Sequence, residues 1–215
     1  MKIGILGSGP VGQKLGAAFA DLGHEVMLGS RDPEQEKIKN WISNTGKNVK
    51  AGNFSETASF GELIVLSTLW TGTENALKLA GHANFKGKII IDTTNPLDFS
   101  KGMPPGLSPS GNDSGGEQIQ RWLPHSKVVK CFNIVGNTFM YKPGFPDGKP
   151  DMFICGNDEG AKKKVLEILN DFGWESRMDL GGIENSRYLE AMCIVWVIYG
   201  MKTNSWNHAF KMLRK

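Results

Sequence analysis

Short apolar runs alternate with helix-like patterns along the whole chain. Lys2 to Leu6 is an apolar run that ends in glycines, and apolar residues then recur at helical spacing as far as Leu22. Glu62 to Thr68 gives the strongest strand pattern, because its apolar centre lies between polar ends, as in a strand buried on both faces. The same criteria predict strands at 25–29, 49–51, 87–92, 127–132, 151–155 and 175–180, and helices at 33–42, 74–80, 117–123, 159–172 and 186–214. This alternation predicts an α/β fold with a mostly parallel sheet covered on both faces.

Two details of this pattern are specific enough to check. Pro33 falls in the first turn of the helix predicted at 33–42, and Asp32 before it is the expected cap. The segment from Asn95 to Gly116 is rich in Pro, Gly and Ser and predicts a long loop, which in a compact domain is usually functional or mobile.

The first strand is followed by a glycine-rich turn of the form GxGxxG. In such a turn Gly7 would make the tight bend, Gly9 would let the backbone approach a pyrophosphate, and Gly12 would let the following helix pack closely. The N–H groups at the start of that helix would face the phosphates. The sequence therefore predicts a dinucleotide site whose turn consists of Gly7, Ser8, Gly9, Pro10, Val11 and Gly12.

The end of the second strand predicts which dinucleotide is bound. NAD sites place an acidic residue about 20 residues beyond the glycines, and here Ser30 and Arg31 occupy that region. A hydroxyl and a guanidinium suit a 2′-phosphate, and Lys37 adds a further positive charge. We therefore expect NADP(H) rather than NAD.

Small polar residues follow three other predicted strands. Ligands of open parallel sheets lie beyond the carboxyl ends of the strands. The residues at these positions are therefore candidates for contacts with the ribose, the nicotinamide and a second substrate. No acid–base pair stands out, so no catalytic residue is assigned, and hydride transfer would depend on alignment of the reactants. The cofactor-side candidates are Thr68, Leu69, Trp70, Asn95 and Pro96, and the substrate-side candidates are Asn133, Val135, Gly136 and Asn137.

Composition limits the remaining function classes. The chain has 215 residues, of which 40% are hydrophobic, and a formal net charge of +3, which is too weak to indicate nucleic-acid binding. The three cysteines are far apart and show no metal-binding spacing, so we expect no metal site and a reducing, cytoplasmic location. The triplet Lys162 to Lys164 is expected on a solvated helix face. No stretch is long enough to span a membrane, and the N-terminus does not resemble a signal peptide.

Several segments, taken together, resemble one known family. The segments GILGSGPVG, GSRDP, TLW, DTTNPLDF, GEQIQRWLP, KVVKCFN, DMFICGND and DLGGIENSRYLE occur in this order and resemble the coenzyme F420-dependent NADP oxidoreductases, and more distantly the oxidoreductase domain of the STEAP metalloreductases. The resemblance implies a Rossmann-type doubly wound domain at 1–136, followed by a small C-terminal αβ portion at 137–215 that continues the same sheet. It also implies hydride exchange between NADP(H) and a deazaflavin (coenzyme F420) or a flavin-like acceptor.

Alternatives from other classes stay open at this point. One is a non-enzymatic NADP(H)-binding sensor, in which the loop at 98–115 closes on the cofactor. Another is a small-substrate dehydrogenase related to pyrroline-5-carboxylate reductase. The apolar helix from Met192 to Met201 belongs either to the core, which we favour, or to a homodimer interface. The expected partner is thus a small-molecule electron acceptor and, on the second interpretation of that helix, also a second copy of the chain.

Overall fold

The structure is a computed structural model that describes residues 1–213. The strands are β1 Lys2–Leu6, β2 Glu25–Gly29, β3 Val49–Gly52, β4 Leu63–Leu66, β5 Ile89–Asp92, β6 Leu97–Asp98, β7 Gly106–Leu107, β8 Lys127–Lys130, β9 Asp151–Gly156 and β10 Ser176–Asp179. The α-helices are α1 Pro10–Asp21, α2 Glu36–Thr45, α3 Phe54–Phe60, α4 Trp70–Ala80, α5 Gly115–Trp122, α6 Glu159–Asp171 and α7 Ser186–Thr203.

Eight strands form one sheet in the order β3, β2, β1, β4, β5, β8, β9, β10. The first six strands in this order run parallel to one another, β9 runs antiparallel to β8, and β10 is parallel to β9. The strand order reverses between β1 and β4, which is the switch point where doubly wound sheets bind ligands. This topology confirms the predicted fold class.

Apolar side chains fill both faces of the sheet. All four residues of β4 are buried, which explains why this strand reads as a continuous apolar run. One buried cluster is centred on α1, α6 and the aromatic residues Phe172 and Trp174, and a second on α3, α4 and α5. The sheet is therefore fixed from both sides, and its carboxyl edge is a rigid base for a site.

The C-terminal portion extends the same sheet through β9 and β10. After α7 the chain reverses at Asn204, whose φ is +48°, and runs back along the helix. Trp206 packs over Gly200, and the N–H of Asp151 donates to the carbonyl of Phe210. The helix predicted to reach residue 214 thus ends at Thr203 because the chain turns back on it, and residue 214 lies outside the described residues. The domain boundary at residues 136 and 137 stays a prediction.

The start of α2 corrects the predicted cap. The helix begins at Glu36 with Gln35 before it, rather than at Pro33. The Asp32 carboxylate accepts a hydrogen bond from the N–H of Glu34, 3.1 Å away, and so closes a local turn instead of capping the helix.

Two further expectations were incomplete or wrong. Helix α3 was not predicted, although Asn53 and Glu56 form a reciprocal capping box at its start, a signal that the sequence carries.

Lys162 was expected in solvent, but it is buried and lies 2.7 Å from Glu159 and 2.8 Å from Asp179, so its helix face is not fully solvated. In addition, the long loop after β5 contains a small antiparallel hairpin, with Leu97 opposite Leu107.

Candidate functional site

A cleft of about 930 Å³ lies at the carboxyl edge of the sheet, beside the switch point. Its volume is near the upper end of the range of about 300–1,000 Å³ that ligand pockets occupy. The cleft begins at the glycine-rich turn and ends at the loop after β5. It is lined by Gly7, Ser8, Gly9, Pro10, Val11, Ser30, Arg31, Gln35, Lys37, Phe54, Ser67, Thr68, Leu69, Trp70, Thr71, Gly72, Asn75, Ala76, Thr93, Thr94, Asn95, Leu97 and Phe99.

The three glycines of the turn have different surroundings. Gly7 has a φ of +119°, and a Cβ there would lie 2.6 Å from the carbonyl oxygen of Ser67. A Cβ on Gly12 would lie only 1.9 Å from the carbonyl oxygen of Gly7, so the start of α1 packs directly against the turn. A Cβ on Gly9 would meet nothing within 4 Å. The backbone at Gly9 therefore faces open space, where a ligand can approach it closely.

Two helices begin at the cleft without a side-chain cap. Gly9 precedes α1 and Leu69 precedes α4, and neither helix has an acidic residue in its first turn. Uncapped N–H groups and the positive end of the helix dipole favour an anion at each start. The Gln13 amide fixes the turn before α1 by donating to the carbonyl of Ser8 at 3.1 Å.

Positive charge concentrates at the outer end of the cleft. Ser30 is buried, and its Oγ lies 3.4 Å from the Oγ of Ser8 and accepts from the N–H of Asp32 at 3.3 Å. Arg31 and Lys37 are exposed, and neither forms an ion pair with any residue between 1 and 213. Two free cations beside a hydroxyl are a suitable site for a phosphate group.

Some apolar side chains of the cleft lining are exposed. Leu69 is 84% exposed and Phe99 is 57% exposed, although both side chains line the cleft. Trp70 stacks on Trp122, with ring centroids 5.7 Å apart and planes 21° apart, so one of its faces is already covered. Exposed apolar side chains around a cleft indicate a ligand with an apolar or aromatic surface.

An amide pair holds the inner end of the cleft. The Asn95 Nδ2 donates to the carbonyl of Asn133 at 2.9 Å, and the Asn133 Nδ2 donates to the Oδ1 of Asn95 at 3.0 Å and to the carbonyl of Leu189 at 2.9 Å. The Oδ1 of Asn133 is buried and has no hydrogen-bond partner within residues 1–213. Asn133 therefore fixes the orientation of Asn95, which lines the cleft, and joins it to α7.

A buried ion cluster lies behind this amide pair. Lys130 Nζ is 2.7 Å from an Asp92 carboxylate oxygen, 2.8 Å from a Glu190 carboxylate oxygen and 2.9 Å from the carbonyl of Thr94. Glu190 also accepts from the N–H groups of Gly115 and Gly116, both at 3.0 Å, at the start of α5. Burial by itself would lower the pKa of Lys130, but the two carboxylates outweigh it and raise this pKa above its ordinary value. The cluster joins β5, β8, α5 and α7.

A second, more exposed ion pair also joins α5 to α7. The Arg187 Nε donates to the Glu117 carboxylate at 2.8 Å. This contact holds the pKa of Glu117 below its ordinary value. Arg187 lies in the segment DLGGIENSRYLE, one of those that resemble the family, and in the structure it joins two helices and does not line the cleft.

The thiols do not contribute chemistry to the cleft. All three cysteines are free and buried, and none lines the cleft. Burial raises the pKa of Cys155 to about 11 and that of Cys193 to about 12, so both remain protonated thiols near neutral pH. Within residues 1–213 no group of His, Cys, Asp and Glu side chains is arranged to hold a metal ion, and no helix is long and apolar enough to cross a membrane.

The structure brings most of the candidate cofactor-side residues to one cleft. Gly12 and Pro96 are the two that do not line it, and Gly12 packs beneath the turn instead. None of the four substrate-side candidates lines the cleft either. Asn133 contacts Asn95, which does line the cleft, and Val135 is buried in the core. Asn137 starts a 3₁₀ turn. A Cβ on Gly136 would face Trp196 and the carbonyl of Trp206. The role of these residues in binding stays a prediction.

Sequence reasoning missed several residues of the lining. Phe54 was missed because α3 was not predicted, although its capping box could have revealed the helix. Leu97 and Phe99 belong to a loop whose hairpin has no strong local pattern. The start of α4 was placed four residues too late, at 74 instead of Trp70. Thr93 and Thr94 belong to a strand end that the sequence does predict as a candidate, together with Asn95 and Pro96. The lining residues outside the prediction are Gln35, Phe54, Ser67, Thr71, Gly72, Asn75, Ala76, Leu97 and Phe99.

Comparison with known proteins identifies relatives of this chain. Residues 2–96 match the family described as "NADP oxidoreductase coenzyme F420-dependent". The F420-dependent NADP reductase of Methanocaldococcus jannaschii is 30% identical, with 95% of each chain covered, and the metalloreductase STEAP3 of Rattus norvegicus is 27% identical over 89% of this chain and 36% of its own length. The crystal structure of a candidate F420-dependent NADP reductase from Arthrobacter sp. FB24 superposes with a TM-score of 0.95, at 40% identity and with both chains fully covered.

Proposed function

This chain belongs to the family of F420-dependent NADP oxidoreductases, and we propose that it passes a hydride between NADP(H) and a deazaflavin or flavin-like acceptor bound in the same cleft. The protein is an NADP-dependent oxidoreductase of this family. The observation that carries the proposal is one cleft that is lined both by the cations Arg31 and Lys37 and by the exposed apolar side chains of Leu69 and Phe99.

The residues present fit a dinucleotide with a 2′-phosphate. The open backbone at Gly9 and the uncapped start of α1 suit the pyrophosphate. Ser30, Arg31 and Lys37 suit the 2′-phosphate, since no residue between 1 and 213 neutralises either cation. When bound, the nicotinamide ring would supply the hydride chemistry.

The chain's own residues would align the two rings rather than move protons. Of the side chains that line the cleft within residues 1–213, Arg31 and Lys37 are the charged ones, and both lie at its outer end. Leu69, Trp70 and Phe99 would offer apolar contacts to the rings and keep water from them. Asn95, held by Asn133, would present a fixed amide at the inner end. Such alignment is the main requirement for transfer between two bound rings.

Steady-state kinetics with a set of acceptors tests the proposal. Oxidation of NADPH would be followed with coenzyme F420, FMN, FAD, riboflavin and a simple quinone. We expect turnover with at least one deazaflavin or flavin, and a much lower rate with NADH. Binding of NADPH without turnover on any acceptor would contradict the proposal and support the sensor hypothesis. Turnover with the quinone alone would contradict the proposed acceptor class.

A further inference from the structure

Four hydroxyl groups line the cleft directly beyond the ends of β4 and β5. Ser67 and Thr68 follow β4, and Thr93 and Thr94 follow β5. A hydroxyl has one proton to donate and two lone pairs that accept. What each hydroxyl can offer to a ligand therefore depends on where its proton goes within the protein.

The hydroxyls after β5 donate their protons to the protein. Thr94 Oγ1 donates to the Oδ1 of Asp92 at 2.7 Å. Thr93 Oγ1 donates to the carbonyl of Leu66 at 3.1 Å. A carboxylate and a carbonyl can only accept, so the direction of both hydrogen bonds is fixed.

The hydroxyls after β4 are committed in the same way. Ser67 Oγ donates to the carbonyl of Leu6 at 3.1 Å. Thr73 Oγ1 donates to the carbonyl of Leu69 at 3.1 Å, so the 2.8 Å contact between Thr73 and Thr68 is a donation from Thr68. All four hydroxyls of the cleft lining can thus offer only lone pairs to a ligand.

The outer end of the cleft has the opposite hydrogen-bonding character. Ser30 Oγ accepts from Ser8 Oγ and from the N–H of Asp32, which leaves its own proton for a ligand. Arg31 and Lys37 carry donors only. Donors therefore face the ligand where phosphates are expected, and acceptors face it at the ends of β4 and β5.

Thr94 is the most firmly held of the four. Its N–H donates to the same Asp92 oxygen at 2.9 Å, and its carbonyl accepts from Lys130 Nζ at 2.9 Å. The second Asp92 carboxylate oxygen lies 2.7 Å from that Nζ, and all three residues are buried. The hydroxyl cannot turn its proton towards the cleft without giving up a bond to a buried charge, so its lone pair is a fixed acceptor.

We propose, as an extension of the proposed function, that Thr94 accepts a hydrogen bond from the carboxamide NH₂ of the nicotinamide and selects for ligands that carry this donor. Strands β1, β4 and β5 are neighbours, each about 4.8 Å from the next. Phosphates at the turn after β1 place the ribose hydroxyls near the end of β4 and the ring, which lies farther from the phosphates, near the end of β5. A buried acceptor at that position favours a ring with an N–H donor.

Calorimetric titration with two oxidised cofactors tests the inference. One is NADP⁺, and the other is its 3-acetylpyridine analogue, in which a methyl group replaces the amide NH₂. The parent should bind the analogue about 10- to 100-fold more weakly, because the methyl group leaves the Thr94 acceptor buried and unpaired. Thr94→Val should bind NADP⁺ and the analogue within about threefold of each other, since it removes the acceptor and keeps the shape.

Two matched variants control for general effects. Thr94→Ser keeps the hydroxyl and should retain the discrimination between the two ligands. Thr45→Val removes a hydroxyl that donates to the carbonyl of Trp41 away from the cleft, and it should behave as the parent does.

Two results would overturn the inference. One is equal affinity of the parent for both ligands, which decides the question even if Thr94→Val does not fold. The other is unchanged discrimination in a folded Thr94→Val. Discrimination by the parent without turnover on any acceptor would support this inference and contradict only the proposed function.

Discussion

The two ends of the cleft are held by different forces. The outer end consists of the turn around Gly9, whose own backbone faces open space, and of the exposed cations Arg31 and Lys37, which form no ion pair within residues 1–213. The inner end rests on Asn95, which an amide pair and the buried cluster of Lys130 tie to three other elements. Binding at the outer end can therefore change without loss of folding, whereas changes behind the inner end act on stability first.

The largest expected effect comes from breaking the inner cluster. Lys130→Met should lower the free energy of unfolding by about 3–5 kcal/mol, because Asp92 and Glu190 would be left as unpaired buried charges. Urea denaturation measures this loss. Lys39→Met, which removes an exposed pair with Glu34, is the control and should have a much smaller effect. A loss below about 1 kcal/mol in Lys130→Met would show that the cluster does not support the inner end.

At the outer end, Gly9→Val should remove binding and spare the fold. The side chain would occupy open space where the pyrophosphate is expected, so the NADPH dissociation constant should rise by at least ~100-fold, or about 2.7 kcal/mol. Titration calorimetry and a thermal melt would be run together. The side chain of Gly144→Val also enters open space but lies away from the cleft. This variant should change neither the NADPH dissociation constant nor the melting temperature. Normal NADPH binding in Gly9→Val would show that the turn has a structural role only and does not contact the cofactor.

Arg31→Ala should change the choice of cofactor rather than binding in general. Loss of a charged hydrogen bond to the 2′-phosphate should cost about 1–3 kcal/mol of NADPH affinity, while NADH affinity should stay nearly constant. Lys39→Ala, on the same helix as Lys37, serves as the control for general loss of positive charge. Equal weakening of NADPH and NADH would show that Arg31 does not contact the 2′-phosphate.

The smallest expected effect is a pH dependence of stability that comes from the pair of Asp113 and Arg121 at helix α5. The hydrogen bonds from Arg121 lower the pKa of Asp113 from its ordinary 3.8 to about 2, although partial burial opposes them. A lowered carboxyl pKa stabilises the fold above pH 4, and this contribution is lost as the pH falls towards 2. The pair is partly exposed, so the contribution is below about 1 kcal/mol. The melting temperatures of the parent and of Asp113→Asn should differ at pH 6 and converge near pH 2. A difference in melting temperature that stays constant with pH would contradict this assignment.

The same contrast explains how much of the molecule the sequence could predict. The outer end is local: its strand, turn and helix follow one another, and the second strand delivers Ser30 and Arg31 by a short connection. Each step has a sequence signal, such as a buried apolar run or a glycine at a required position. The mostly parallel sheet then follows from the alternation of strands and helices.

The inner end could not be predicted in this way because its partners are distant in sequence. A lysine within an apolar strand signals a buried charge at Lys130, but nothing local identifies Glu190 as its partner, 60 residues away. The pairing of Asn95 with Asn133 likewise depends on β5 and β8 lying side by side. The orientation of Gly136 towards Trp206 depends on a C-terminal reversal that the apolar pattern does not show.

Direct hydride transfer within one cleft is tested most directly by following an isotope from the cofactor to the acceptor. NADPH carrying deuterium at both C4 positions of the nicotinamide would be incubated with the protein and oxidised coenzyme F420, and the reduced product analysed by mass spectrometry. Direct transfer predicts one deuterium bound to carbon in each molecule of reduced coenzyme F420. Product that contains only hydrogen from water would contradict direct transfer, as would no reduction of any deazaflavin or flavin by a protein that binds NADPH.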